Sequence, residues 1–215
     1  MEVLTQYFSL FHKGGPVMYI LALCSVAVLA IGVERYLYYK EMTAEAETFM
    51  PQLQTLVEKQ NILEAVLLCQ KTKAGLGQIA LKGLQAFQQD RNVESVLEGS
   101  AMSMAARLRE YLNYLSAIVT LSPLLGLLGT VIGMINSFSV LNIKAGQPLA
   151  ITGGVGEALV ATATGLSVAI LAMAIHTYYC HRLDRVVTDM EELSSMLVSN
   201  LSRNKLVRGK NHEIA

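Results

Sequence analysis

Residues Pro123 to Phe138 read PLLGLLGTVIGMINSF, and they lie in a run from Tyr111 to Ile143 whose only ionisable side chains are tyrosines. Gly126, Gly129 and Gly133 recur at spacings of three and four, which puts them on one face of an α-helix. Thr130 stands beside that face. An apolar helix that thins one side to bare backbone is shaped to lie closely against another helix, and its hydrophobicity places that contact inside a membrane.

The rest of the chain agrees. Its 215 residues are 53% hydrophobic and 16% charged, with a mean hydropathy of +0.41, whereas a soluble domain carries about 25% charged residues. Formal net charge is zero, so no basic field points to nucleic acid. There is no Trp, leaving nine Tyr to occupy membrane interfaces. Cys24, Cys69 and Cys180 are scattered, with neither a disulfide framework nor zinc-ligand spacing. No basic segment followed by a small-residue cleavage site opens the chain, so the first apolar segment is expected to remain as an anchor.

Taken in order, residues 1–13 form a short amphipathic lead with Leu4, Phe8 and Phe11 on one side, suited to a membrane surface. Residues 14–33 are uncharged, and twenty residues at about 1.5 Å each match a hydrocarbon core of about 30 Å. Residues 34–110 differ in kind, with nine Lys/Arg and ten Asp/Glu among periodic apolar positions. Phe49, Leu53, Leu56 and Val57 make one helical stripe; Ile62, Ala65, Val66 and Cys69 make another. Ala74-Gly75-Leu76-Gly77 breaks the pattern, Ile79 to Phe87 resumes it, and Asn92 is placed to cap a helix running on into the membrane.

The second span covers residues 111–140, with Pro123 expected to kink it or loosen one turn. A hairpin at 141–153 leads to a third span at 154–177. An apolar stripe of Leu183, Val186, Val187, Met190, Leu193, Leu197 and Leu201 extends that helix through 178–202, before a flexible tail at 203–215. With the N-terminus outside, only Lys13 and Lys144 of the 17 Lys/Arg lie on the outer side, as the positive-inside rule favours. The predicted fold class is thus an all-α integral membrane protein of three transmembrane helices with long cytoplasmic helical extensions.

Few residues here carry chemistry. Glu157 is the one acidic residue of the two long spans, and a carboxylate at a helix centre in lipid costs roughly 2.5–3.5 kcal/mol. It either marks the outer edge of the third span or sits on an internal surface that handles protons or cations. Taking Gly146 as the hairpin tip, Thr130 and Thr162 are each sixteen residues away, so straight antiparallel helices bring the two hydroxyls to one height. Periodicity from Glu157 favours Thr164 instead, seven residues beyond it, and any such Thr also serves as a back-bonded packing residue. The third span is small-sided, which fits close helix packing. His176 and His181 fit an interface better than a metal, and no nucleotide loop, nucleophile elbow or paired catalytic carboxylates occur. Neither an enzyme nor a cofactor is indicated.

P-x-x-G-x-x-G-T-V-x-G-x-x-x-S-F at Pro123–Phe138, with G-E-A-L-x-A-T-A-x-G-L at Gly156–Leu166, resembles the MotA/TolQ/ExbB proton-channel family. The three-span plan resembles its ExbB/TolQ branch, over roughly residues 10 to 200. The resemblance implies a ring of five copies in the bacterial inner membrane, with the N-terminus periplasmic and the C-terminus cytoplasmic. It implies a pore holding single-span partners of the ExbD/TolR type, each with a proton-carrying Asp, and coupling to a TonB- or TolA-type protein that crosses the periplasm. Carried onto this chain, Glu157, Thr130 and Thr162 are the polar pore residues. Pro123, Gly126, Gly129 and Gly133 form a small pore wall, and Thr164 and Asn136 stand in reserve. Ala169-Ile170-Leu171-Ala172 departs from the family's A-I-P-A and His176-Thr177 from its Tyr-Asn, which puts the shape of the inner pore mouth in question. An ExbB-like role in outer-membrane transport is expected over a TolQ-like role in envelope integrity. A non-conducting scaffold is the rival of another class, and Na⁺ is a rival to the proton, since hydroxyls suit a hard cation too.

Overall fold

A computed structural model describes residues 15–43, 46–72, 75–143 and 148–213. The amphipathic lead at 1–13 and the hairpin tip at 144–147 lie outside these. Six helices account for nearly all of the described chain: α1 (Gly15–Thr43), α2 (Ala46–Glu58), α3 (Ile62–Lys71), α4 (Gly75–Gln88), α5 (Val93–Ile143) and α6 (Pro148–Glu213). Among the described residues there is no strand. Three helices, α1, α5 and α6, are long and apolar enough to cross a membrane, so this is an all-helical, multi-pass membrane protein. The chain divides into two compact units, Met1–Glu34 with Tyr111–Tyr179, and Arg35–Glu110 with Cys180–Ala215; α5 and α6 give a segment to each.

The first unit holds the apolar parts of the three long helices. Val17, Met18 and Leu21 of α1 bury against Ala161 of α6, with Leu125, Ile132 and Val160 packed around them. Tyr179 Oη donates to the carbonyl of Gly32 at 2.6 Å, tying α6 to α1; Ile175 lies beside Gly32 as well. Other large apolar side chains of the spans, among them Leu23, Leu29, Leu127, Leu159 and Ile170, are exposed. Such a surface suits lipid tails or further helices, because the backbone of each span is already satisfied within its helix.

The second unit has a core of the predicted stripes. Phe49, Leu53 and Val57 of α2, Ala65 and Cys69 of α3, and Leu183, Val186, Met190, Leu193, Leu197 and Leu201 of α6 are all buried. Asn92 caps α5 through Oδ1, which accepts from Ser95 N–H at 3.2 Å. Both α2 and α4 end on a left-handed residue, Gln60 (φ 59°) and Asp90 (φ 55°). There Asn61 N–H reaches back to Leu56 O and Arg91 N–H to Ala86 O, the closure that satisfies a helix's last carbonyls.

The break expected at 74–77 falls between α3, which ends at Lys71, and α4, which begins at Gly75; Gly75 and Gly77 lie in the first turn of α4, and both are buried. A Cβ on Gly75 would meet the Met42 side chain, and one on Gly77 would come within 3.1 Å of Thr72, so the glycines permit close packing. At the far end, the α6 backbone is helical to Glu213. Two further ties hold α1 here. Arg35, 3% exposed, donates to Leu108 O at 3.5 Å and stacks over the Tyr38 ring at 4.7 Å. Arg182 donates to Thr43 Oγ1 at 3.4 Å. Burial pushes the Cys69 thiol up to about 12. Burial and the neighbouring Glu192 raise the Asp189 carboxyl against the pull of Arg182.

Candidate functional site in the membrane helices

The contact between α5 and α6 sets the site. A Cβ on Gly126 would stand 3.1 Å from Ala161 O and Thr162 Cα; one on Gly129, 2.5 Å from Ala161 Cβ; and one on Gly133, 3.0 Å from Ala158 Cβ. From the other side, a Cβ on Gly165 would meet Ser122 O at 2.5 Å and Gly126 Cα at 3.0 Å. The two backbones therefore touch, which only small residues allow.

Gly126, Gly129 and Gly133 are buried against α6 of the same chain. Pro123 lies within an uninterrupted α5 and is half-buried. Having no N–H, it cannot bond the Val119 carbonyl one turn earlier.

Close approach brings polar groups together. Thr162 Oγ1 donates across the contact to Gly126 O at 3.2 Å, while Thr130 Oγ1 donates to Leu127 O, within its own helix, at 2.6 Å. Thr164 instead donates to Val160 O at 2.8 Å, inside α6. Of the two residues left open by the sequence, Thr162 is the one that reaches the second span.

Glu157 is half-buried and lines a cavity of about 20 Å³ with Asn136, Gly129, Ile132 and Gly133 of α5 and Gly15, Pro16 and Val17 of α1. That is room for about one water. The cavity includes the first residues of α1, whose leading N–H groups have no partner in their own helix and carry partial positive charge, which favours a carboxylate. Sequence periodicity missed the part played by α1; the Gly-Gly-Pro at its start is the only hint that its backbone comes close. His176 is half-buried and His181 exposed. No group of three metal-ligating side chains occurs among the described residues.

Residues 71–192 match the family model described as the MotA/TolQ/ExbB proton channel family. The chain is 33% identical over 172 residues to the putative biopolymer transport protein ExbB-like 1 of Synechocystis sp., covering 77% of this chain and 67% of that one. It is 27% identical over 201 residues to the Tol-Pal system protein TolQ of Haemophilus influenzae, covering 86% and 88%. It is 26% identical over 189 residues to a putative biopolymer transport protein ExbB homolog of Methanothermobacter thermautotrophicus, covering 87% and 67%.

Proposed function

The chain belongs to the MotA/TolQ/ExbB proton channel family, and on that footing we propose that it is the ring-forming subunit of a proton-driven motor in the bacterial inner membrane. Its N-terminus faces the periplasm, in keeping with the two basic residues on that side against fifteen on the other. Five copies surround single-span partners of the ExbD/TolR type, and the assembly drives a TonB-type protein for outer-membrane transport.

The observation that carries this reading is the water-sized cavity lined by both Glu157 and Asn136, together with the interhelical bond from Thr162 to Gly126 O. A carboxylate kept half-buried in a helix of this apolar character is costly without a use. In the proposed cycle Glu157 holds water in the ion path. Thr130 and Thr162 exchange hydrogen bonds with the partner's carboxyl as it gains and loses its proton. The test is Glu157→Ala at normal protein level: proton-driven uptake should fall, and unimpaired uptake would remove Glu157 from the path.

A second reading has its own support. The TolQ of H. influenzae aligns over 86% of this chain, whereas the ExbB of Salmonella typhimurium aligns over 43%. In that reading the motor serves envelope integrity through a TolA-type protein. Deleting the gene separates the two: failure to grow on scarce iron supports the transport role, and sensitivity to detergent with chained cells supports the envelope role.

A further inference from the structure

Asn136 lines the Glu157 cavity, and no bond described so far uses its amide. It is exposed, and among the described residues 121–138 every other exposed side chain is Leu, Val, Ile, Met or Phe. The hydroxyls around it are satisfied within the chain: Ser137 donates to Gly133 O, Thr130 to Leu127 O and Thr162 to Gly126 O. Asn136 has no hydrogen-bond partner among the described residues. Its amide brings two N–H donors and a carbonyl, and in a span such groups are kept where another polar group or water meets them.

Helix geometry turns Asn136 and Glu157 towards each other. Gly126 of α5 lies against Thr162 and Gly165 of α6, Gly129 against Ala161, and Gly133 against Ala158 and Gly154. Numbers that rise along one helix and fall along the other make the pair antiparallel. Asn136, three residues beyond Gly133, thus stands one turn, about 5.4 Å, from the level of Glu157, towards the start of α6. Every Cα–Cβ bond tilts towards the N-terminus of its own helix. In an antiparallel pair the tilts oppose, so Glu157 leans along α6 towards Asn136, and Asn136 leans along α5 towards Glu157. Both line the same cavity of about 20 Å³, which Pro16 and Val17 of α1 also line. That space admits one water. The amide, the carboxylate and the leading N–H groups of α1 are the polar partners such a water needs.

We propose that Asn136 is a positioning residue of this site. Its amide N–H donates to the one water of the cavity, that water donates to the Glu157 carboxylate, and the carboxylate is held facing the cavity. The part this plays in conduction rests on the reading of the chain as a proton-conducting subunit; the link from Asn136 to Glu157 does not.

Two measurements separate these. The first is infrared spectroscopy of the full chain in lipid vesicles. The carboxylate band of Glu157 is the difference between the unmodified chain and Glu157→Gln. Taken in an Asn136→Leu background, which keeps the size and removes the amide, that band should shift. In a Ser167→Ala background, which loses only a bond inside α6, it should stay in place. An unmoved band in Asn136→Leu, or an equal shift in both backgrounds, would overturn the proposal.

The second is proton flux with the ExbD/TolR-type partner present. Asn136→Leu should lower it roughly fivefold, the ratio that loss of one hydrogen bond brings, with the complex assembled as before. Asn136→Asp, which keeps the size and loses both donors, should lower it at least as far. Added to Glu157→Gln, Asn136→Leu should change flux by less than about twofold, because a residue that acts through Glu157 has nothing left to position. A full further loss in that double variant, or normal flux through Asn136→Asp, would overturn the positioning role. If the unmodified chain passed no protons, the reading as a conductor would fail, and the infrared band would still decide whether Asn136 reaches Glu157.

Discussion

The hydroxyls of Thr130 and Thr162 bond to consecutive carbonyls of one helix, Thr130 to Leu127 O and Thr162 to Gly126 O. Consecutive carbonyls differ by about 1.5 Å in height and about 100° in direction. The two groups are thus level but do not share a face. Thr162 is held between the helices, and its bond is a link that movement of one span past the other would break. Replacing it by Val, which keeps the shape and removes the donor, should cost about 1 kcal/mol of stability and slow proton flux severalfold. Thr164→Val, which loses only a back-bond, should leave flux near normal. Thermal unfolding in detergent and flux in vesicles check the pair; equal behaviour of the two variants would contradict it.

The glycines divide by what surrounds them. Gly165→Ala would put a Cβ 2.5 Å from Ser122 O and 3.0 Å from Gly126 Cα, both backbone atoms that cannot swing aside. Overpacking of this kind costs about 1–3 kcal/mol. A Cβ at Gly153 or Gly156 meets nothing within 4 Å in the single chain, and Ala gains up to about 1 kcal/mol of helix propensity over Gly. Melting temperatures should therefore fall for Gly165→Ala and hold or rise for Gly153→Ala.

Cys69 should be nearly inert in the folded protein. Its thiol is pushed from 9.0 to about 12 by burial, and three pH units mean roughly a thousandfold less thiolate below both values. At pH 8, iodoacetamide should modify it only after unfolding. Rapid labelling of Cys69 in the native chain, read by peptide mass, would show that this part of the helical unit opens readily.

Asp189 gives a pH dependence with a definite sign. Its carboxyl lies above the ordinary range because of burial and the Glu192 charge. A carboxyl raised by folding takes up its proton more readily in the native state, so lowering the pH favours that state. The stabilisation is fully present below the unfolded value and is lost as pH rises through the folded one. The melting-temperature difference between the unmodified chain and Asp189→Asn should shift in favour of the unmodified chain as pH falls from neutral towards 4. A difference independent of pH would contradict the assignment.

How much of this was legible in the sequence depends on whether a local pattern carried it. The three spans follow from unbroken apolar runs, and the α2, α3 and α6 stripes from periodicity. The cap at Asn92 follows from its place before an apolar-periodic run, and all are present. What failed was tertiary. Gly75 and Gly77 read as a break, which the gap between α3 and α4 matches, but not as the place where Met42 and Thr72 pack closely against the start of α4. The Gly126–Gly133 face pointed to close contact but not to which helix makes it, and that helix belongs to the same chain. Tyr179, one of the tyrosines expected at membrane interfaces, donates to the carbonyl of Gly32.

The most direct test of the central claim is proton flux through vesicles holding this chain with its ExbD/TolR-type partner, compared between the unmodified chain and Glu157→Gln under an imposed proton gradient. The account predicts measurable flux for the unmodified chain, a fall of about tenfold or more for the variant as expected of a group in the proton path, and an unchanged mass of the extracted complex. Full flux through Glu157→Gln, or no flux through the unmodified complex, would contradict it.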